Sequence, residues 1–266
     1  MYLNILSHVL PEKGYSLAYT FFSNPRKGKL QKENLPKLLQ QAEQHTHTYN
    51  ERQFQTYTWK GNDDVILLVH GWESNANRWR ELFKQLKETK KTVIAIDGPA
   101  HGLSDGKEFN VPIYAEFINI ISQKYKPKFL IAHSIGGTAA AYYQHLYPNH
   151  TLQKMVLLGA PSDFNIILKN YIAILNLNAK IHNYLIGYTK ERFDIVVDEF
   201  SAASFLKNTT IPGLIAHDLS DNVVRFEEAK KLASSWKNAK LIETNGLGHS
   251  MHDAYLYKTV VDFLEA

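Results

Sequence analysis

Short apolar runs, separated by longer stretches with helical character, constrain the fold of this chain more than any other feature. A continuous apolar run is typical of a central parallel strand, because helices cover such a strand on both faces. Strands that alternate with helices at this spacing predict an α/β fold, with a mostly parallel central sheet and helices on both faces. The predicted apolar strands lie at residues 65–69, 92–96, 129–133, 154–158, 211–215 and 239–243, and residues 53–59 alternate as a half-buried strand does.

The same alternation predicts how the chain is divided. Residues 1–50 have helical spacing between Leu30 and Gln44, and we expect a partly helical N-terminal extension there. The α/β core is predicted over residues 51–161 and again over residues 209–266. Between these two parts, residues 162–208 contain helical stretches without a clear buried strand. We therefore expect them to form a helical cap over the ends of the strands.

The composition excludes several classes of function. The 266 residues include no cysteine, which rules out disulfides, thiol catalysis and cysteine-ligated zinc. The net charge of +4 arises from scattered Lys and Arg without a basic stripe, so we expect no nucleic-acid partner. No segment is long enough for a membrane span. The first ten residues lack the basic region and the cleavage site of a signal peptide, and a cytoplasmic protein is expected.

The strand predicted at residues 129–133 breaks at Ser134 and is followed at once by small residues. This order predicts a very tight turn with Ser134 at its apex and a helix that begins at Ile135. A serine in such a turn has a strained backbone and points its hydroxyl away from the sheet. The turn closes only where the flanking side chains are small, as Ala132 and Gly136 are. Taken alone, the pattern also fits a serine that caps a helix.

Two loops downstream of Ser134 carry groups that could activate its hydroxyl. A serine hydroxyl needs a base to take its proton, and the base needs a third group to orient it. Asp218 and Asp221 follow the strand predicted at residues 211–215, and His249 follows the last strand. Because ligands gather at the carboxyl ends of parallel strands, we expect these groups at one edge of the sheet.

From about Thr56 to the C-terminus, the chain resembles the α/β-hydrolase-fold proteins, and five segments in order carry the likeness. The first glycine of the usual Gly-x-Ser-x-Gly motif is Ala132 here, which is a departure from the family pattern. Residues 1–50 carry no part of the resemblance. The matching segments are His70-Gly71-Trp72, the Asp-x-x-x-His-Gly-x-Ser loop from Asp97 to Ser104, the turn at Ser134, the Asp-x-Val stretch at Asp221, and Gly248-His249.

This resemblance implies a catalytic triad. It implies Ser134 as the nucleophile, His249 as general base and then acid, and Asp221 as the acid that orients the base. Asp218 is the rival for the third role. The family's acid loop usually reads Gly-x-x-Asp with a valine two residues later, which aligns Asp221 with the acid. Asp218 then replaces the usual glycine, which is a second departure from the pattern.

The resemblance further implies an oxyanion hole formed by the backbone N–H groups of Trp72 and Ile135. No metal or organic cofactor is required for this chemistry. His45 and His47 share one face of a strand without a carboxylate cluster beside them, and we expect no metal site there. We interpret the chain as a serine hydrolase that cleaves a carboxylic ester with an apolar part, a small-molecule substrate.

Other functions fit the same residues. Thioesterase, amidase, C–C hydrolase and acyltransferase chemistries use the same triad. A non-catalytic ligand-binding or signalling protein of the same fold is the alternative from another class.

Other polar residues near the predicted site have structural interpretations. His70 and His101 are expected to hold loops through hydrogen bonds, and Asp97 is expected to accept such bonds. His133, beside the serine, is expected to line the pocket. His252 competes with the other histidine of its loop for the role of base.

Overall fold

The computed structural model describes residues 2–266 and contains an eight-stranded sheet. The strands are β1 (Glu43–Tyr49), β2 (Arg52–Trp59), β3 (Asn62–Val69), β4 (Lys91–Ile96), β5 (Phe129–His133), β6 (Lys154–Leu158), β7 (Gly213–Asp218) and β8 (Ala239–Thr244). Their order across the sheet is β1-β2-β4-β3-β5-β6-β7-β8. Strands β3 to β8 are parallel to one another, whereas β2 runs antiparallel to both of its neighbours, β1 and β4. The predicted mostly parallel sheet is confirmed.

Eleven α-helices are defined within residues 2–266. None of them combines the length and the apolar character that crossing a bilayer demands. They are α1 (Tyr2–Val9), α2 (Pro11–Ser23), α3 (Lys37–Gln40), α4 (Arg80–Leu86), α5 (Val111–Tyr125), α6 (Ile135–Leu146), α7 (Phe164–Ile174), α8 (Ala179–Phe193), α9 (Ala202–Leu206), α10 (Phe226–Ser235) and α11 (Ala254–Glu265).

Helices cover the sheet on both faces, as predicted. One apolar cluster joins strand residues to α5, α6 and α10, and its large members include Phe117 and Trp236. A second cluster joins the opposite face to α4 and α11, with Trp79 and Tyr257 fully buried. The central strands are apolar at successive positions because both of their faces are covered in this way.

The sheet begins earlier than the boundary predicted at residue 51. Strand β1 (Glu43–Tyr49) lies within the predicted extension and pairs with β2 in antiparallel register. Its sequence is polar and most of its side chains are not buried, since it forms the edge of the sheet. The helix predicted between Leu30 and Gln44 is also wrong in extent, because only the short α3 forms there. Pro36 sets the start of α3, and the strand begins three residues after it ends.

The N-terminal helices pack against helices from the middle of the chain. We call α1, α2, α7 and α8 together the helical module. A separate apolar cluster holds it, in which Leu3 and Ala18 meet Leu168 and Leu185. Tyr15 and Tyr184 stack with ring centroids 4.5 Å apart. Residues 2–23 and 164–193 therefore form one layer, which no local pattern in the sequence predicts.

Candidate active site

Ser134 stands at the apex of a tight turn between β5 and α6. Its backbone angles are φ 54° and ψ −134°, in a region that a residue with a side chain rarely adopts. The turn closes because neighbouring residues lack bulk. A Cβ atom at Gly136 would lie 2.3 Å from the carbonyl oxygen of His70, and a Cβ atom at Gly71 would lie 2.8 Å from the Ser134 Cβ. The strained serine is therefore held by close backbone approaches on two sides.

We expect Gly136→Ala to lower the free energy of unfolding by about 1–3 kcal/mol, because the added methyl group meets backbone that must shift. Gly187→Ala is the matched control. It lies inside α8 with open space around it and should raise the same free energy by about 0.5–1 kcal/mol. Urea unfolding of both variants measures the two changes. Equal stability of Gly136→Ala and the unaltered protein would show that the approach of Gly136 to the His70 backbone does not require a glycine.

Ser134, His249 and Asp221 form a continuous hydrogen-bonded chain. The Ser134 Oγ lies 2.8 Å from His249 Nε2, and His249 Nδ1 lies 2.7 Å from Asp221 Oδ2. Because a carboxylate only accepts, His249 donates from Nδ1 and presents the lone pair of Nε2 to the serine hydroxyl. The three residues follow β5, β8 and β7 at the carboxyl edge of the sheet. They are the three residues that the sequence predicts as a triad.

The Asp221 carboxylate is buried and surrounded by donors. Its Oδ1 accepts from the backbone N–H groups of Val223 and Val224 at 2.8 and 2.9 Å. Its Oδ2 lies 3.4 Å from His217 Nε2 in addition to its contact with His249. Burial alone would raise the pKa of Asp221, but these hydrogen bonds, from His217 and His249 first, hold it well below the ordinary value. Asp221 therefore stays ionised, as an orienting acid requires.

No role is predicted for His217 from the sequence, yet it contacts this carboxylate. The ring is fully buried, and its Nε2 donates to the carbonyl oxygen of Val224 at 2.8 Å. The same N–H faces Asp221 Oδ2. His217 lies in β7, four positions before Asp221, and that short spacing is the only signal in the sequence that could have pointed to the contact.

Asp218 is not at hydrogen-bond distance from His249. Its carboxylate accepts from the backbone N–H of Leu247 at 2.9 Å and from the hydroxyl groups of Ser220 and Thr244. Burial would raise the pKa of Asp218, but these hydrogen bonds lower it further than burial raises it. Asp218 braces the loop that leads into His249, and the geometry places Asp221 rather than Asp218 in contact with His249.

The other histidines near the site hold loops. His70 Nε2 accepts from the N–H of Gly98 at 2.8 Å, and His101 Nε2 accepts from the N–H of Glu73 at 2.9 Å. Burial lowers the pKa of both rings, so both stay neutral and can accept in this way. His252 bonds through Nδ1 to the hydroxyl of Tyr257 and not to Ser134.

Asp97 also organises these loops from a fully buried position. Its Oδ1 accepts from the N–H of Ala76, and its Oδ2 accepts from the N–H of Leu103 and the hydroxyl of Tyr57, each at 2.9 Å. The two loops that follow β3 and β4 are thereby held together beside the tight turn at Ser134, which we call the elbow.

His133, which is expected to line the pocket, contacts the loop that carries His249. It is buried, with 5% of its surface exposed. Its Nε2 lies 2.8 Å from the backbone carbonyl oxygen of His249, and the two rings are 5.0 Å apart. His133 therefore lies beneath the loop that carries the predicted base.

Ile135 and Trp72, the residues predicted to form the oxyanion hole, directly follow Ser134 and Gly71 in the chain. Ile135 is the first residue of α6, where N–H groups have no intrahelical partner and the helix dipole favours negative charge. Trp72 follows Gly71, whose close approach to Ser134 is described above. The ring centroids of Trp72 and Phe109 lie 5.6 Å apart.

Arg26 and Gly28, which follow α2, form hydrogen bonds with the loops beside the elbow. Gly28 accepts at its carbonyl from the N–H of Gly102 at 2.8 Å and from Asn75 Nδ2 at 3.1 Å. Arg26 bonds to the Glu73 carboxylate through both its backbone N–H and its side chain. The N-terminal helices are thus connected directly to the candidate site, although residues 1–50 carry none of the family motifs.

Comparisons with known proteins agree on one fold. A sequence model described as the alpha/beta hydrolase fold matches residues 64–185. A bifunctional esterase/perhydrolase from Acinetobacter calcoaceticus is 28% identical over an alignment of 242 positions that covers 70% of this chain and 85% of that protein. A serine hydrolase-like protein from Danio rerio is 33% identical over 99 residues, 35% of this chain and 30% of that protein.

Solved structures extend the likeness to most of the chain. Est1E from Butyrivibrio proteoclasticus, solved with ferulic acid bound, superimposes with a TM-score of 0.69 at 17% identity, covering 83% of this chain and 98% of that one. The structure of a putative lipase from Acinetobacter baumannii superimposes with a TM-score of 0.66 at 19% identity, covering 88% of this chain and 98% of that one. At such identities the likeness concerns the fold.

Proposed function

We propose that this chain, which has the α/β-hydrolase fold, is a serine hydrolase that cleaves carboxylic esters through an acyl-enzyme intermediate. The observation that carries the proposal is the hydrogen-bonded chain from Ser134 through His249 to Asp221, with distances of 2.8 and 2.7 Å. A nucleophile with a base in reach, and a third group that orients the base, is the arrangement that activated serines require.

In the proposed first step, the Ser134 oxygen attacks the ester carbonyl carbon while His249 Nε2 takes the hydroxyl proton. The carbonyl π electrons move to oxygen and form a tetrahedral oxyanion. When that oxyanion collapses, the bond to the alcohol oxygen breaks, and His249 gives its proton to the leaving alcohol. Water then attacks the acyl-serine with His249 as base, which releases the acid and restores the serine.

We assign the backbone N–H groups of Trp72 and Ile135 to the oxyanion. The position of Ile135 at the start of α6 supports this role, because its free N–H and the helix dipole both favour negative charge. Asp221 remains ionised throughout and stabilises the imidazolium that forms on His249. Its buried, donor-rich surroundings support this role.

An apolar acyl or alcohol group fits the surroundings of Ser134. The partly buried ring of Trp72 and the buried side chains of Phe109 and Ile135 belong to one apolar cluster, to which Phe164 of α7 also belongs. The helical module would act as a cap whose aromatic residues contribute to the substrate pocket. The likeness to the Acinetobacter calcoaceticus esterase/perhydrolase also supports an ester as substrate.

A fluorophosphonate probe and a panel of p-nitrophenyl esters of graded acyl length test this proposal. The probe should label the protein at Ser134, and Ser134→Ala should be neither labelled nor active. Turnover should exceed the Ser134→Ala background for at least part of the ester series. Thioester and amide substrates with the same acyl group then distinguish ester cleavage from the related chemistries. Absence of both labelling and turnover would contradict the hydrolase and favour a ligand-binding protein that uses the same pocket.

A further inference from the structure

The loop that carries His249 is held on either side of the histidine, by the contact of Leu247 with Asp218 and by the burial of Met251 in the second apolar cluster. It follows β8, an edge strand whose side chains are exposed or only partly buried. Gly246, Gly248 and Met251 in this loop all have positive φ, so the chain turns sharply around the histidine. The His249 side chain is 21% exposed. Contacts from other parts of the molecule must therefore hold the imidazole in place.

Two side chains from elsewhere in the fold fasten consecutive carbonyl groups of this loop. His133 Nε2 lies 2.8 Å from the carbonyl oxygen of His249, and Arg78 Nη2 donates to the carbonyl oxygen of Ser250 at 2.9 Å. His133 is the residue immediately before Ser134. The nucleophile and the support of its base are thus neighbours in the chain, on the same strand end.

The protonation of His133 follows from its partner. A carbonyl oxygen only accepts, so the His133 proton is on Nε2 and its Nδ1 carries a lone pair. That Nδ1 is buried and finds no hydrogen-bond partner among residues 2–266. Burial lowers the pKa of His133 well below its ordinary value, so the ring stays neutral and keeps this tautomer. An apolar side chain would fill the same space without an unpaired nitrogen. The presence of a histidine at this position is therefore better explained by the hydrogen bond that its Nε2–H donates than by the packing of its ring.

We propose that His133 is a positioning residue, whose Nε2–H holds the His249 backbone so that the His249 imidazole stays aligned between Ser134 and Asp221. This inference rests on the proposed function, since it concerns the base of that triad. The contact joins residues 116 positions apart, so it couples the elbow to the histidine loop directly. A small displacement of a catalytic group is enough to slow a reaction strongly.

The test compares His133→Gln with His133→Leu. A glutamine amide can place an N–H near the position of the imidazole Nε2, whereas leucine fills the space without a donor. We expect His133→Leu to lower kcat by about 10²-fold with little change in KM, because the base is misplaced while the substrate pocket is intact. His133→Gln should remain within about tenfold of the unaltered protein, since it retains the hydrogen bond.

A second measurement does not depend on turnover. The proton between His249 Nδ1 and Asp221 should give a low-field resonance in the NMR spectrum, present in the unaltered protein and in His133→Gln. In His133→Leu it should broaden or shift. Circular dichroism and thermal unfolding establish that both variants are folded, and His133→Met replaces the leucine variant if the latter does not fold.

The outcomes separate the two proposals. If the unaltered protein is neither labelled nor active, the proposed function fails, and the resonance alone still reports on the positioning of His249. If His133→Leu keeps both the wild-type kcat and the resonance, the positioning role is wrong. If the leucine and glutamine variants are equally impaired although folded, a donor at this position is not what matters, and the inference is likewise overturned.

Discussion

His249→Ala is expected to lower kcat for ester hydrolysis by about 10⁶-fold, as removal of a catalytic base does when serine and base act as one unit. Without the imidazole, the Ser134 hydroxyl loses the acceptor 2.8 Å away that takes its proton. The side chain is partly exposed and lies outside the three apolar clusters, so the fold should survive the change. Steady-state kinetics with an activated ester measure the loss, and the rate of phosphonate labelling at Ser134 should fall in parallel.

His252→Ala is the matched control, because His252 lies on the same loop and competes for the same role by sequence. Its ring bonds to Tyr257 rather than to Ser134. We expect its kcat to stay within about tenfold of the unaltered value, because one neutral hydrogen bond outside the reacting groups is lost. If His252→Ala were the more damaging change, the assignment of His249 as base would be wrong.

Asp221→Asn is expected to lower kcat by about 10⁴-fold while leaving the fold intact. The asparagine oxygen can still accept from the N–H groups of Val223 and Val224. Its amide, however, would donate to His249 Nδ1 and force the histidine proton onto Nε2. A protonated Nε2 cannot accept the serine proton, so the base is lost without a change in shape. Kinetics with the same ester, together with thermal unfolding, distinguish this effect from misfolding.

Asp218→Asn tests which of the two aspartates, Asp218 or Asp221, orients His249. Because hydrogen bonds depress the pKa of Asp218, its contribution to stability is full above the ordinary aspartate pKa and is lost as the pH falls below that value. Asp218→Asn should therefore reduce the free energy of unfolding at pH 7, and the difference should shrink as the solution is acidified. We expect kcat to fall far less than in Asp221→Asn. The opposite ranking of the two kcat values would make Asp218 the acid.

The elbow is predictable because its requirements are local. A strand, a serine with small neighbours and a helix follow one another within eighteen residues, although the close approach of Gly136 to the carbonyl of His70 is a tertiary contact. The central strands are predictable for a similar reason, since burial on both faces makes them apolar throughout. Strand β1 is missed because an edge strand is not apolar at every position, and its polar residues resemble a loop.

Sequence spacing alone does not decide whether Asp218 or Asp221 contacts His249. The two carboxylates are three residues apart in one loop, and either could follow a strand end. The family pattern favours Asp221, but contact with His249 depends on how that loop turns. The turn is stabilised by Leu247, from the loop after β8, whose N–H donates to Asp218, and by the contact of His217 in β7 with Asp221.

The sequence by itself determined the parallel sheet, the strained serine and the order of the groups that follow the strand ends, because periodicity and local sterics act between near neighbours. Only the tertiary structure decided that residues 2–23 join α7 and α8 in one layer, and that His133 supports the loop of His249. These contacts join residues more than a hundred positions apart. They depend on where separate loops meet in space, and no short-range pattern in a single chain carries that information.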